Sequence, residues 1–288
     1  MTAPILVTGA TGNVGGAAAQ SLLAAGFPVR VAGTDPGRLR SRFPGAEPVL
    51  LDLRRPDTFP AAVRGTGGLL LIRPPAVARV GPTLNALVDV AARDTGGHVV
   101  FVSVTGADTR RVVPHHRVEK HLSASSSPYT ILRPGFFAQN LAGAYRDDIR
   151  SDDRIYLPAG RGRVAFLDTR DIGDVVAAVF ADAPAHRGVA HTLTGPAALT
   201  FDEVAALLTG TLGRPIRYRA ASVGGYLRHL RRQRRLPLAQ CVVQTVLHTG
   251  LRRGQGERVD PTITGLLGRP PRTMAQYIRD HREVWQRP

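Results

Sequence analysis

The chain has 288 residues and carries 38 Lys and Arg against 22 Asp and Glu, a formal net charge of +16. That length allows one large α/β domain, or a nucleotide domain with a smaller partner, and the single cysteine, Cys241, excludes an intramolecular disulfide framework. No charged stem followed by a long apolar stretch opens the chain, and no run reaches the roughly 18 apolar residues of a membrane span, so a soluble, cytoplasmic protein without a membrane partner is expected.

The first element is the strand Ile5–Val7, followed at once by Gly9-Ala10-Thr11-Gly12-Asn13-Val14-Gly15. Glycines at this spacing after a strand allow a tight turn, let backbone approach a pyrophosphate, and aim the amino end of the next helix at it. Ala17–Ala25 reads as that helix, Gly26 stops it, and Val29–Ala32 is the second strand, completing a βαβ unit within about 30 residues. Cofactor choice turns on the end of this second strand. An acidic residue there accepts the adenosine ribose and repels a 2′-phosphate. Here Gly33 and Thr34 stand at the strand end, while Asp35 precedes Pro36 and reads as a turn residue. Arg38, with the Thr34 hydroxyl, then favours NADP(H) over NAD(H); the alternative makes Asp35 the ribose acceptor and Arg38 a solvated helix residue.

Pro48–Leu51 is the third strand, and Asp52 and Leu53 after it are placed to touch adenine, although an acidic residue there is often only a cap. Gly68–Ile72 is the fourth. Ile72-Arg73-Pro74-Pro75 then runs past the cofactor ribose, its prolines keeping backbone out of the ladder. A helix spans Thr83–Arg93 and the fifth strand Val99–Val102. Ser103 and Thr105 follow at its carboxyl end, where open α/β sheets bind ligands; they are candidate donors near the nicotinamide, or loop hydroxyls satisfying local backbone. His115 and His116 open the helical stretch Arg117–Ser123. His116 is a candidate general acid, or a satisfied residue near a helix start. The sixth strand is Thr130–Leu132, after which Pro134, Phe136 and Phe137 line a nicotinamide and substrate pocket, or ordinary core, with Asn140 as a polar anchor.

Apolar strands alternating with helices give a doubly wound parallel sheet of Rossmann type. Val164–Leu167 and His191–Leu193 are late strands that could return to it, around a helix at Asp171–Phe180. From Gly195 the pattern is mostly helical: Phe201–Leu208 behind a Thr200/Glu203 capping box, then Pro237–Leu247 and Thr273–Trp285. The expected organisation is a nucleotide-binding domain over residues 1–194 and a smaller substrate lobe over 195–288, with 146–163 a candidate contributor to the cleft. Arg228, Arg231, Arg232, Arg234 and Arg235 are the one dense basic patch. Tyr226, Leu227 and Leu230 fall at helical spacing among them, so the patch reads as a solvated helix face without interleaved aromatics, and no specific nucleic-acid partner is expected.

Five blocks together resemble the NmrA-like group of atypical short-chain dehydrogenases/reductases: Val7–Gly15, His116-Arg117-Val118-Glu119, Tyr129–Asn140 with its Arg133-Pro134-Gly135-Phe136-Phe137 core, Leu193-Thr194-Gly195-Pro196, and Gly268–Thr273. The resemblance implies an NADP(H)- or NAD(H)-binding Rossmann domain and a cleft against a small C-terminal domain. Many members place an arginine where Thr34 stands, which leaves Arg38 to carry the phosphate preference. Short-chain dehydrogenases commonly use Tyr-x-x-x-Lys, the lysine lowering the tyrosine pKa. The only lysine here is Lys120, and position 116 is histidine. Alcohol–ketone chemistry is therefore disfavoured. The sequence points instead to a reductase of an electron-poor quinone, enone or iminium, in the manner of specialised metabolism, acting as a monomer or homodimer without a metal. A cofactor sensor without turnover, or a redox-neutral isomerase or cyclase, keeps the same signature.

Overall fold

A computed structural model describes residues 3–287. In chain order the elements are β1 (Ile5–Val7), α1 (Asn13–Ala24), β2 (Val29–Gly33), α2 (Pro36–Arg42), β3 (Glu47–Leu50), α3 (Phe59–Val63), β4 (Gly68–Ile72), α4 (Ala86–Asp94), β5 (His98–Val102), α5 (Pro114–Ala124) and β6 (Tyr129–Pro134). They continue with α6 (Arg146–Asp152), β7 (Arg154–Leu157), β8 (Arg163–Ala165), α7 (Thr169–Ala181), β9 (Val189–Leu193), β10 (Ala198–Thr200), α8 (Phe201–Leu212) and β11 (Arg217–Ala220). The last four are α9 (Val223–Arg232), α10 (Leu238–Leu251), α11 (Thr262–Leu267) and α12 (Met274–Asp280). The chain divides into two compact units.

The first unit holds the residues through Pro134 together with Thr169–Leu193 and Thr262–Arg269. Its sheet has seven strands in the order β3-β2-β1-β4-β5-β6-β9, every pairing parallel. Strands buried on both faces must be apolar throughout; β1 and β5 are wholly buried. On one face α1 meets α7 through small residues. A Cβ on Gly173 would lie 2.7 Å from the Ala17 carbonyl carbon, so this contact admits only glycine. Ser21 fixes its register by donating to Asp174 at 2.8 Å. A core of Leu6, Phe59, Leu69, Leu84, Phe101 and Val118 gathers residues from β1, β4, β5, α3 and α5. The order reverses beside β1: the chain runs outward to β3, then returns to β1's other side as β4. Such a switch point is where doubly wound sheets bind ligands.

The second unit holds Gly135–Asp168, Thr194–Pro261 and the residues from Pro270. Two small sheets, β8 with β10 antiparallel and β7 with β11 parallel, are packed with helices around Trp285, Tyr226, Tyr277 and Phe201. Thr200 and Thr273 each close a capping box, with Glu203 and Gln276 respectively, so α8 and α12 begin where their orphan N–H groups are met. Of the two late strands expected to rejoin the large sheet, His191–Leu193 does so within β9. The Val164–Leu167 segment does not: its residues in β8 pair with β10 instead. The expected Thr273–Trp285 helix breaks at His281, with a 3₁₀ turn over Arg282–Trp285. Among the described residues no helix is long and apolar enough to cross a membrane.

Two buried histidines in the first unit predict its response to acid. Thr130 Oγ1 donates to the His186 carbonyl at 2.8 Å, so it accepts from His98 Nε2, also at 2.8 Å. His115 Nε2 accepts from Arg73 Nε at 3.2 Å. Burial first, then nearby positive groups, push both imidazoles down to about 4 from the ordinary 6.5. Between about 6.5 and about 4 the unfolded chain therefore binds more protons than the folded one. Stability held above 6.5 is lost as pH falls through that window, by about 1–3 kcal/mol per histidine. Urea midpoints should drop across it in the parent and less in His98→Phe; equal slopes for the two proteins would contradict this reading.

Candidate functional site

The site is built on the end of β1. Thr8 Oγ1 donates to the Leu70 carbonyl at 3.0 Å and accepts the Ile72 N–H at 2.9 Å, which ties the ends of β1 and β4 together. The chain then turns at Gly9, whose φ of +64° lies where side chains are strained. Gly12 N–H returns to the Gly9 carbonyl at 2.9 Å and begins α1 as its N-cap. Gly15 closes the packing: a Cβ there would sit 2.6 Å from the Gly9 carbonyl carbon. Gly12 does something different, since a Cβ there meets only the Gly9 oxygen, at 3.3 Å, and Thr11, Gly12 and Asn13 are exposed. Helices α2, α8, α9 and α12 start under the side chains of Asp35, Thr200, Ser222 and Thr273. By contrast α1 has no side-chain cap and no acidic residue in its first turn. Its first N–H groups and positive dipole end therefore face an open glycine cradle, the donor set a pyrophosphate requires.

Beside this cradle lies the end of β2. Asp35 spends Oδ1 on the Arg38 backbone N–H at 3.0 Å, capping α2. Thr34 and Arg38 are exposed. Arg42, not among the residues expected from the sequence, donates to the Thr11 carbonyl at 2.8 Å and so brings its guanidinium onto the glycine loop. The available signal was its spacing, four residues beyond Arg38 and hence on the same face of α2.

Other expected cofactor contacts are placed less openly. Asp52 Oδ1 accepts the Arg54 N–H at 2.9 Å, a bond within its own turn. Leu53 is buried in the first unit's core. Ile72 faces the glycine turn, its Cβ 3.4 Å from where a Gly9 side chain would begin. The Arg73 guanidinium turns back into its own loop, donating to the Val77 carbonyl at 2.7 Å and, more weakly, to those of Pro74 and Pro75. Burial lowers its pKa.

At the ends of β5 and β6 a charged network takes the groups that the sequence offered as donors. Ser103, 2 % exposed, gives its hydroxyl to Glu119 Oε1 at 2.5 Å. Glu119 is held by Arg133 through Nε at 3.2 Å and Nη2 at 2.7 Å, and Arg133 also reaches Asp108 at 3.3 Å. Such a two-point grip fixes a carboxylate's orientation. It makes Ser103 a brace between β5 and α5 instead of a free donor. Thr105 Oγ1 is likewise spent, on the Pro134 carbonyl at 3.1 Å. His116 bonds the Ala107 carbonyl through Nδ1 at 2.8 Å; a carbonyl only accepts, so Nδ1 carries the proton and Nε2 is left for another partner. His116 and Lys120 stand four apart on α5, the spacing of the missing tyrosine and lysine, and line one groove with Glu119 and Arg133.

In the second unit Phe136 is half-buried and packs against the core, edge-on to Phe166 at 5.6 Å and Phe201 at 6.4 Å, the core role given as its alternative. Phe137 bridges Leu167 through backbone, and its ring is half-buried outside that core, as is Asn140 in the following turn.

The model of the NmrA-like family matches residues 1–253. An NAD(P)H azoreductase from Xenophilus azovorans is 31% identical over 283 residues, covering 96% of this chain and 97% of its own. The (4-alkanoyl-5-oxo-2,5-dihydrofuran-3-yl)methyl phosphate reductase of Streptomyces griseus subsp. griseus is 30% identical over 289 residues, covering 98% and 99%. Among solved structures, an NADPH-dependent quinone oxidoreductase from Escherichia coli complexed with NADPH superposes with a TM-score of 0.84 at 25% identity, over 96% of this chain and 99% of that one.

Proposed function

The chain belongs to the NmrA-like family, and from that premise we propose that it is an NADPH-preferring oxidoreductase that reduces an electron-poor small molecule of quinone, enone or iminium type. The observation that carries this reading is the uncapped amino end of α1 behind an open Gly12, with the Arg42 guanidinium on the glycine loop and Arg38 exposed one turn earlier on α2. The azo- and furanone-reducing relatives and the quinone oxidoreductase support the substrate class, because each acts on an electron-poor double bond or ring.

Gly9, Thr11, Gly12, Asn13, Val14 and Gly15 form the pyrophosphate cradle, and Arg38, Arg42 and Thr34 offer charge and a hydroxyl to a 2′-phosphate. Bound reduced nicotinamide supplies the hydride. The chain supplies orientation and a proton. Glu119, gripped by Arg133, holds Ser103 and the β5 end in place. His116, with Nδ1 fixed on Ala107, carries the transferable proton at Nε2 when it is imidazolium. Nothing in this set lowers a phenol pKa, which is why conjugated acceptors fit it better than simple ketones.

The test is acceptor-dependent loss of reduced-nicotinamide absorbance over a panel of quinones, enones and iminium dyes. His116→Asn should lower kcat about 100-fold with NADPH affinity unchanged. A panel in which NADPH binds but no acceptor consumes it would defeat the reading in favour of a sensor.

A further inference from the structure

Helix α10 turns most of its aliphatic side chains outward. Its buried positions are Cys241, Thr245, His248, Gly250 and Leu251, while Leu238, Val242, Val243, Val246 and Leu247 are 46–65 % exposed in the whole chain. The buried polar groups are satisfied: Thr245 donates to the Cys241 carbonyl at 2.7 Å, and His248 Nδ1 to the Gln244 carbonyl at 2.6 Å, with the Tyr145 hydroxyl on Nε2. Nothing therefore forces the helix to turn over, and five aliphatic side chains at helical spacing face outward. A contiguous stripe of that kind on a globular chain marks an interaction surface. Its neighbour α9 packs antiparallel to it, with Tyr226 edge-on to His248 at 5.4 Å. This second helix and its following turn expose Arg228, Arg231, Arg232 and Arg235, with Val223 at its start.

We propose that the α9–α10 hairpin seats on an anionic lipid surface, the α10 stripe entering the headgroup boundary and the α9 arginines meeting lipid phosphate. Charge complementarity selects this occupant. A second copy offers these arginines no net opposite charge, since each chain already carries +16. Nucleic acid would satisfy the arginines but leaves the aliphatic stripe without a role, and no aromatic side chain stands among them to stack a base. A bilayer surface uses both features at once: apolar area for the acyl boundary and cations for the headgroups. The absence of a spanning helix does not bear on this, because the hairpin lies on the surface rather than crossing it.

The experiment is vesicle co-sedimentation of the full-length protein, with phosphatidylcholine–phosphatidylglycerol vesicles against phosphatidylcholine alone. Far-UV circular dichroism and melting temperature serve as fold controls independent of cofactor. Binding is expected only to the anionic vesicles. Each arginine near such a surface contributes about fivefold, so Arg228→Ala/Arg231→Ala/Arg232→Ala should lose on the order of 100-fold in partition. Val242→Ser/Val246→Ser, at the solvent face and harmless to the fold, should lose at least about tenfold. Three results overturn the proposal: no binding to anionic vesicles, binding that the serine variant leaves unchanged, or a concentration-dependent dimer that the serine variant abolishes.

Discussion

Gly12→Val is expected to abolish measurable NADPH binding while moving the melting temperature by no more than a few degrees. Gly12 has φ −86° and ψ 175°, an extended conformation that any residue adopts, so backbone strain is not the reason. Its Cβ meets only the Gly9 oxygen, at 3.3 Å, just inside ordinary van der Waals contact. What valine removes is approach: its two methyl groups stand over the uncapped first turn of α1. Charged hydrogen bonds of the pyrophosphate to those N–H groups are worth about 1.5–3 kcal/mol each. Losing two costs at least about 3 kcal/mol, more than 100-fold in Kd. Gly15→Ala is the contrasting control, because its Cβ would press on the Gly9 carbonyl carbon at 2.6 Å and so should destabilise the fold itself. Titration of Gly12→Val with unaltered NADPH affinity would remove the cradle from the account.

The second large effect concerns the 2′-phosphate. Arg38→Ala should weaken NADPH by about 1–3 kcal/mol, roughly 5- to 150-fold, and NADH hardly at all. Arg42→Ala should weaken NADPH by a similar amount and NADH slightly, since its guanidinium also steadies the Thr11 carbonyl. Fluorescence titrations of both variants with both cofactors separate these terms. Equal losses for NADPH and NADH in Arg38→Ala would show that α2 reads no phosphate, and would return Asp35 to the role of ribose acceptor.

The large sheet was legible because its signal is local. Ile5–Val7 and Gly68–Ile72 have the bounds that their apolar runs and flanking glycines predict, and the Thr200/Glu203 box marks the start of α8 from four residues. The small sheet of β7 and β11 was not. Arg154–Leu157 and Arg217–Ala220 are short, carry arginines, and become strands only by pairing across about sixty residues of chain. Side-chain assignments failed where a tertiary partner decides. Glu119 reads in sequence as one acidic residue on a helix, yet Arg133 and Ser103 converge on it from the ends of two strands and turn a presumed donor into a brace. Arg42 was missed for the same reason, its target being a backbone carbonyl 31 positions earlier. In α10 five aliphatic residues are exposed against the usual inference from apolar to buried, and only packing reveals it.

The most direct measurement of the central claim follows a label. NADPH deuterated at one face of the nicotinamide C4, then separately at the other, should be oxidised by a quinone, enone or iminium acceptor with deuterium appearing in the product from one of the two only. A Rossmann site holds the ring with a single face toward substrate. Product that forms without NADPH consumption, or that carries no deuterium from either cofactor, would contradict hydride transfer and assign the fold to redox-neutral chemistry.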